Sequence, residues 1–120
     1  MNKYMLLFRD LKMNDEAFAS LSPKDMQASL EEWGKWMGKL AAEGKLLGGE
    51  PLLPFGKVIR GTIKKITDGP FMESKEIVGG YLIINAASLE EATELAKDCP
   101  TLKSADGSVE IREIMIVNQQ

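Results

Sequence analysis

Histidine is absent from all 120 residues, and that absence excludes more function than any residue present suggests. Ser–His and Cys–His nucleophile pairs, histidine-bearing zinc and haem sites and every imidazole acid–base step are removed together. Any chemistry must rest on carboxylates, lysine, arginine or tyrosine. Cysteine is nearly absent too: the single Cys99 cannot form an internal disulfide, which points to a reducing cytoplasm. Long apolar runs are missing, and Arg9 and Asp10 close the first apolar stretch too early for a signal peptide, so neither membrane nor export is expected. Nor is there an excess of positive charge. Fifteen basic residues against 18 acidic ones give a net charge of −3, which offers nucleic acid or an anionic membrane no attraction. Gly48-Gly49 is followed by Glu-Pro and lacks the Lys-Ser/Thr of a nucleotide cradle, and no metal-ligand spacing occurs. No cofactor and no metal are expected. Without repeat, low-complexity tract or linker, residues 1–120 read as one domain, and 44% hydrophobic with 28% charged residues suits a globular chain.

Element signals are plain in most of the chain. Lys3–Arg9 reads as a strand apolar on both faces, with Tyr4, Leu6 and Phe8 one way and Met5 and Leu7 the other. Asp10–Leu21 reads as loop with irregular helix. Ser22-Pro23 then supplies an N-cap oxygen and a first-turn proline. Met26, Leu30, Trp33, Met37 and Leu40 follow as one apolar stripe, and Gly44 stops a helix predicted over Pro23–Glu43. Leu46–Leu53 is extended and broken by glycines and prolines. Lys57–Ile66 alternates as one strand and Ile77–Asn85 as another, with Gly79-Gly80 marking a bulge or a close backbone approach. Ser88–Glu91 is a capping box opening a helix whose stripe is Ala92, Leu95, Ala96 and Cys99, stopped by Pro100. Asp106-Gly107 turns into a last strand, Ser108–Val117.

This order is βαββαβ, the α+β ferredoxin-like sandwich in which two helices cover one face of an antiparallel sheet. The first strand, Ile77–Asn85 (Val78, Leu82 and Ile84 against Tyr81 and Ile83) and the last strand (Val109, Ile111, Met115 and Val117 against Ile114 and Ile116) carry apolar residues on both faces. Two helices cover only one side. The uncovered side would be a larger apolar patch than monomers carry, so a homodimer through the helix-free sheet face is expected.

Between the middle strands, Thr67–Glu76 is about twice the length of an ordinary hairpin loop and densely charged, the kind of segment that holds ligands. Asp68-Gly69 reads as a turn pair, and Pro70 stiffens it. In an extended run after it, Phe71, Glu73 and Lys75 share one side, and a Glu and a Lys two apart can set each other's charge state. Asp68 has two readings, a pocket acid or a turn residue accepting backbone N–H bonds. Arg60, mid-strand, and Arg112, in the last strand, can reach an anionic ligand or a structural carboxylate. Tyr81 reads as a core or dimer-face aromatic whose hydroxyl finds one partner. Trp36 lies off the first helix's stripe, and packing is its simplest role. Cys99, in an apolar stripe at a helix C-terminus, reads as an inert thiol.

Asp68-Gly69-Pro70-Phe71-x-Glu73-x-Lys75-Glu76 with Gly79-Gly80-Tyr81 resembles the hallmark of the YCII-related, or DGPF-domain, family. Supporting matches run along most of the chain, including Tyr4-Met5-Leu6-Leu7, Gly44-x-Leu46-x-Gly48, Leu53-Pro54, Val58-Ile59-Arg60, Glu90-Glu91-Ala92, Cys99-Pro100 and Gly107–Arg112. The resemblance implies a ferredoxin-like protomer of the dimeric α+β barrel superfamily. It also implies some association with extracytoplasmic-function sigma factors, and in better-understood relatives a His–Asp pair and lyase or dehydrochlorinase chemistry on a small aromatic. Here no histidine completes such a pair, and Asp68 is the position that matches a pocket acid. Two functions follow as expectations. One is a small-molecule-binding protein with a pocket between sheet and helices, its polar groups supplied by the Asp68–Glu76 loop, with Asp68 as the candidate catalytic acid and Arg60, Phe71, Glu73, Lys75 and Tyr81 as ligand contacts; if it is catalytic, the chemistry is histidine-independent acid–base of lyase or isomerase type. The other is a non-catalytic accessory or regulatory dimer in a sigma-factor pathway.

Overall fold

The structure, a computed structural model, describes residues 1–10, 20–69 and 77–117. Its elements are β1 (Asn2–Asp10), α1 (Pro23–Ala42), β2 (Leu46–Pro51), β3 (Gly56–Arg60), β4 (Lys65–Gly69), β5 (Ile77–Ala86), α2 (Leu89–Ala96), a 3-10 turn (Pro100–Lys103) and β6 (Gly107–Glu113). Four strands form one antiparallel sheet in the order β2-β5-β1-β6, while among the described residues β3 and β4 pair only with each other. With that hairpin set aside, the main sheet has the ferredoxin-like order, and the α+β sandwich expected from the element pattern is what the chain forms.

Both helix starts follow the caps in the sequence. Ser22 Oγ accepts the Asp25 N–H at 3.1 Å with Pro23 in the first turn, and Ser88 Oγ accepts the Glu91 N–H at 3.1 Å. Glu91 does not reach back to complete a capping box; its carboxylate takes the Lys45 ammonium at 3.0 Å, tying α2 to the segment entering β2. The core lies between the sheet and the helices. Tyr4, Leu6, Phe8, Leu82, Ile84 and Ala86 from the sheet meet Trp36 and Leu40 of α1 and Ala92, Ala96 and Cys99 from α2 and its exit. Phe8, Trp33 and Trp36 pack edge-on to one another, with ring centroids 4.9–6.0 Å apart.

Four details depart from the sequence pattern. The α1 stripe is used only in its C-terminal half: Leu40 is buried and Trp33 and Met37 pack beside the core, but Met26 and Leu30 are exposed and Trp36 takes a buried position. Lys57–Ile66 is not one strand. The chain reverses at 61–64, where Gly61 and Lys64 both have left-handed φ (69° and 56°) and the Lys64 N–H returns to the Gly61 carbonyl. Asp68 and Gly69 are therefore strand residues rather than a turn. Gly69 pairs with Gly56, and a side chain there would collide with Val58, so glycine serves a close strand approach. The last strand ends at Glu113, leaving Met115, Ile116 and Val117 exposed beyond it.

Of the two readings of the Gly79-Gly80 pair, both hold: a bulge falls at Gly79, and Gly80 lies close to the Glu50 backbone. Phe8 pairs with Gly80 and Arg9 with Val78, so Gly79 has no partner on β1. One extra residue reverses the facing of everything before it, and Val78 therefore joins Arg9 on the helix-free side instead of sharing the face of Leu82 and Ile84.

Candidate functional site

Strand register defines the helix-free face. Leu7 lies between Tyr81 and Glu110, and Tyr81 has Glu50 on its other side; Met5 lies between Ile83 and Arg112, and Ile83 has Gly48 beyond it. The apolar residues Met5, Leu7, Tyr81, Ile83 and Val78 thus form a central stripe on β1 and β5, and all five are half-buried in the single chain. Charged residues border it. Glu50 stands on the β2 side, and on the β6 side Arg9 holds Glu110 at 2.5 Å while the Arg112 Nε lies 3.9 Å from the same carboxylate. β6 is therefore polar toward this face, through Ser108, Glu110 and Arg112; its apolar Val109 and Ile111 turn to the core. The expectation of a last strand apolar on both faces is corrected accordingly.

The three described candidates, Asp68, Arg60 and Tyr81, lie apart in the single chain. Asp68 stands on β4 opposite Lys57, and the ammonium meets Oδ1 at 2.5 Å. That hydrogen bond and charge hold the Asp68 carboxyl below its ordinary range. Its side chain is 89% exposed, so the pair sits in water. Arg60 is the last residue of β3, paired with Lys65 at the far end of the hairpin and facing the side opposite to Asp68. Tyr81 belongs to the central stripe of the main sheet. Phe71, Glu73 and Lys75 lie outside the described residues, within the seven-residue connection from Gly69 to Ile77. That connection enters β5 where Ile77 and Val78 pair with Asp10 and Arg9, so the motif returns to the sheet beside the Arg9–Glu110 pair.

Among the described residues, core side chains occupy the space between the sheet and the helices. Surface hollows among the described residues lie along α1 (Pro23, Met26, Leu30) and between α1 and the 3-10 turn (Trp36, Lys39, Pro100), and Asp68, Arg60 and Tyr81 line neither. Cys99 is buried, and burial pushes its thiol up, as an inert thiol requires. No cluster of acidic or cysteine ligands suited to a metal occurs among the described residues. No described helix is long and apolar enough to cross a membrane.

Sequence reasoning missed two partners. Lys57, the counter-ion of Asp68, becomes visible only once the hairpin register is known. Arg9 and Glu110 are 101 residues apart and meet through the pairing of β1 with β6; their one local signal was a charged residue at the end of an apolar strand.

Known proteins resemble this chain along nearly its whole length. An uncharacterized protein of Rhizobium meliloti (strain 1021) is 29% identical over 116 residues, covering 92% of this chain and 94% of the relative. Among solved structures, 5-chloro-2-hydroxyhydroquinone dehydrochlorinase from Burkholderia phenoliruptrix AC1100, in complex with 2,5-dihydroxybenzoquinone, aligns over 94% of this chain and 93% of its own. That alignment has a TM-score of 0.47 and 15% identity. The family described as YCII-related domain matches residues 3–118, and the chain belongs to that family.

Proposed function

We propose that this protein binds a small organic molecule on the helix-free side of the sheet, at the end where the Asp68–Glu76 motif rejoins β5, and that it does so as a cytoplasmic homodimer whose sheets face one another. The observation that carries the reading is the Tyr81–Leu7–Glu110 row with Arg9 beside it. An apolar stripe bounded on two sides by charge suits a ligand with a flat apolar body and a polar edge. A dry protein interface alone would place apolar residues across β6 as well. Half-burial of Met5, Leu7, Tyr81 and Ile83 in one chain leaves apolar area that a second sheet would cover. Asp68, Glu73 and Lys75 supply the polar groups and Phe71 an apolar wall on the motif side, Tyr81 supplies the floor, and Arg60, at the far end of the hairpin, is left out of this site.

Complete absence of histidine favours one alternative, a non-catalytic accessory dimer acting on a sigma-factor pathway through a partner. A thermal-shift screen with small organic acids and phenols separates the two. Ligand binding predicts a hit that is lost in Tyr81→Ala and weakened in Asp68→Asn, with unliganded unfolding of the latter nearly unchanged. A hit retained in full by both variants removes the site from this face. Light scattering should give about twice the 13.3 kDa of one chain, and Ile83→Asp should halve that mass; wild type at the mass of one chain refutes the dimer.

A further inference from the structure

Among the described elements the β3–β4 hairpin stands apart: neither strand packs against the main sheet, α1 or α2. The chain accordingly has a radius of gyration of 16.0 Å and a longest extent of 46 Å, against about 13–14 Å expected for a compact chain of this length. A two-stranded hairpin alone in water is marginally stable. This one also presents isoleucine to solvent: Ile59 and Ile66 face each other across the strands at 66% and 63% exposure, and Ile63 at the turn is 83% exposed. Its far end carries Arg60, Lys64 and Lys65, and the Lys57–Asp68 pair lies nearer the base on the isoleucine face.

Charge identifies what covers it. Of the chain's 15 basic and 18 acidic residues, the arm 56–69 holds four basic and one acidic. The arm is therefore net +3 and the remaining residues net −6. A second copy of this chain offers an acidic body to each arm, and the first copy's body accepts the other arm in return. Such a reciprocal exchange closes in a two-fold dimer and doubles every contact. The arm leaves the sheet after β2, an edge strand, and returns into β5 at the border of the helix-free face, so it departs beside the face assigned above to the second copy. We infer that the β3–β4 arm is a clasp: its isoleucine face lies on the body of a second copy of this chain, with the basic turn at the far end of that contact. The inference rests on the dimer reading and extends it, because sheet-to-sheet packing alone needs no arm.

The test mixes ¹⁵N-labelled and unlabelled protein after dissociation and reassociation, joins amines to carboxylates with a zero-length carbodiimide, and reads the linked peptides by mass spectrometry. Lys64 and Lys65 should appear linked to carboxylates outside the arm in pairs of mixed isotope. In parallel, Ile59→Lys with Ile66→Lys should weaken the dimer by roughly tenfold or more. The near-ultraviolet circular dichroism of Trp33 and Trp36 should stay unchanged, since the arm does not touch the core. A dimer whose arm lysines link only within one copy, or whose affinity ignores both isoleucine changes, overturns the clasp and leaves the dimer standing. A chain that stays monomeric at every concentration overturns both.

Discussion

Replacing Trp36 by phenylalanine tests how the two helices are joined over the sheet. Trp36 is 6% exposed, sits edge-on to Phe8 and Trp33, and donates its indole N–H to the Leu95 carbonyl at 3.1 Å. That carbonyl is one of the four that the end of α2 leaves without an intrahelical donor. Its neighbours are served locally, Glu94 by the Lys97 N–H and Ala96 by the Cys99 N–H, so Leu95 depends on the indole of the other helix. Phenylalanine keeps an aromatic edge but donates nothing. Leaving the carbonyl unpaired costs about 1–3 kcal/mol, and the smaller ring leaves unfilled space, so a total loss of about 2–3 kcal/mol is expected. With an unfolding entropy near ~0.25 kcal/mol/K for a chain of this size, the Tm should fall by about 8–12 °C. Unfolding followed by far-ultraviolet circular dichroism, at one protein concentration so that association does not intrude, reads this directly. Trp33→Phe, at a half-buried position, should cost less. A Trp36→Phe variant within about 0.5 kcal/mol of wild type, or a Trp33→Phe variant that loses more, would refute the assignment of the indole bond as the joint between α1 and α2.

Three further outcomes follow from single residues. Lys57 depresses the Asp68 carboxyl in the folded state, so the pair's contribution is present above the ordinary carboxylate range and disappears as pH falls through the lower folded value; carboxyl NMR should place the Asp68 titration below 3.8, and Lys57→Gln should return it toward that value. A midpoint at or above 3.8 in wild type would contradict the hairpin register. Cys99 is 2% exposed with a raised thiol, so Ellman's reagent at pH 8 should react at least roughly tenfold more slowly with native than with urea-unfolded protein; equal rates would show that the α2 exit is open. Gly49 combines a φ of +148° with a backbone so close to Tyr81 and Leu82 that a Cβ would enter the Tyr81 carbonyl, and Gly49→Ala should cost at least about 3 kcal/mol in denaturant unfolding or prevent folding.

The architecture was legible because its signals are local. Ser22-Pro23 and Ser88 announce helices with caps that need no knowledge of the rest of the chain, and alternation in β1 and β5 separates two faces by period alone. The hairpin was missed where two local signals competed. Asp68-Gly69 is the stronger turn pair by composition, whereas the actual reversal uses Gly61 and a left-handed Lys64, a conformation lysine seldom adopts. What decides between them is the cross-strand ladder from Gly56–Gly69 to Arg60–Lys65, which exists only when both strands are present. The α1 stripe failed differently. Spacing reports which residues share a face, but how much of that face the sheet reaches depends on where the helix lies, and here it reaches from Trp33 onward.

The same distinction governs the candidate site. A motif written in consecutive residues, Asp68 to Glu76, marks a segment, while the surface it joins is written in register. Tyr81 beside Leu7 and Glu50, and Arg9 beside Glu110, are placed by three strand pairings between distant parts of the chain. One glycine shows how little sequence is needed to redraw such a surface. Gly79, unpaired in the bulge, reverses the phase of β5 between Val78 and Tyr81, taking Val78 from the core face to the side where Arg9 and Tyr81 stand. Had the ladder run without that extra residue, Val78 would join the core face. The bulge thus sets the phase in which the chain enters β5, and for that reason it belongs to the candidate surface as much as any charged residue in it.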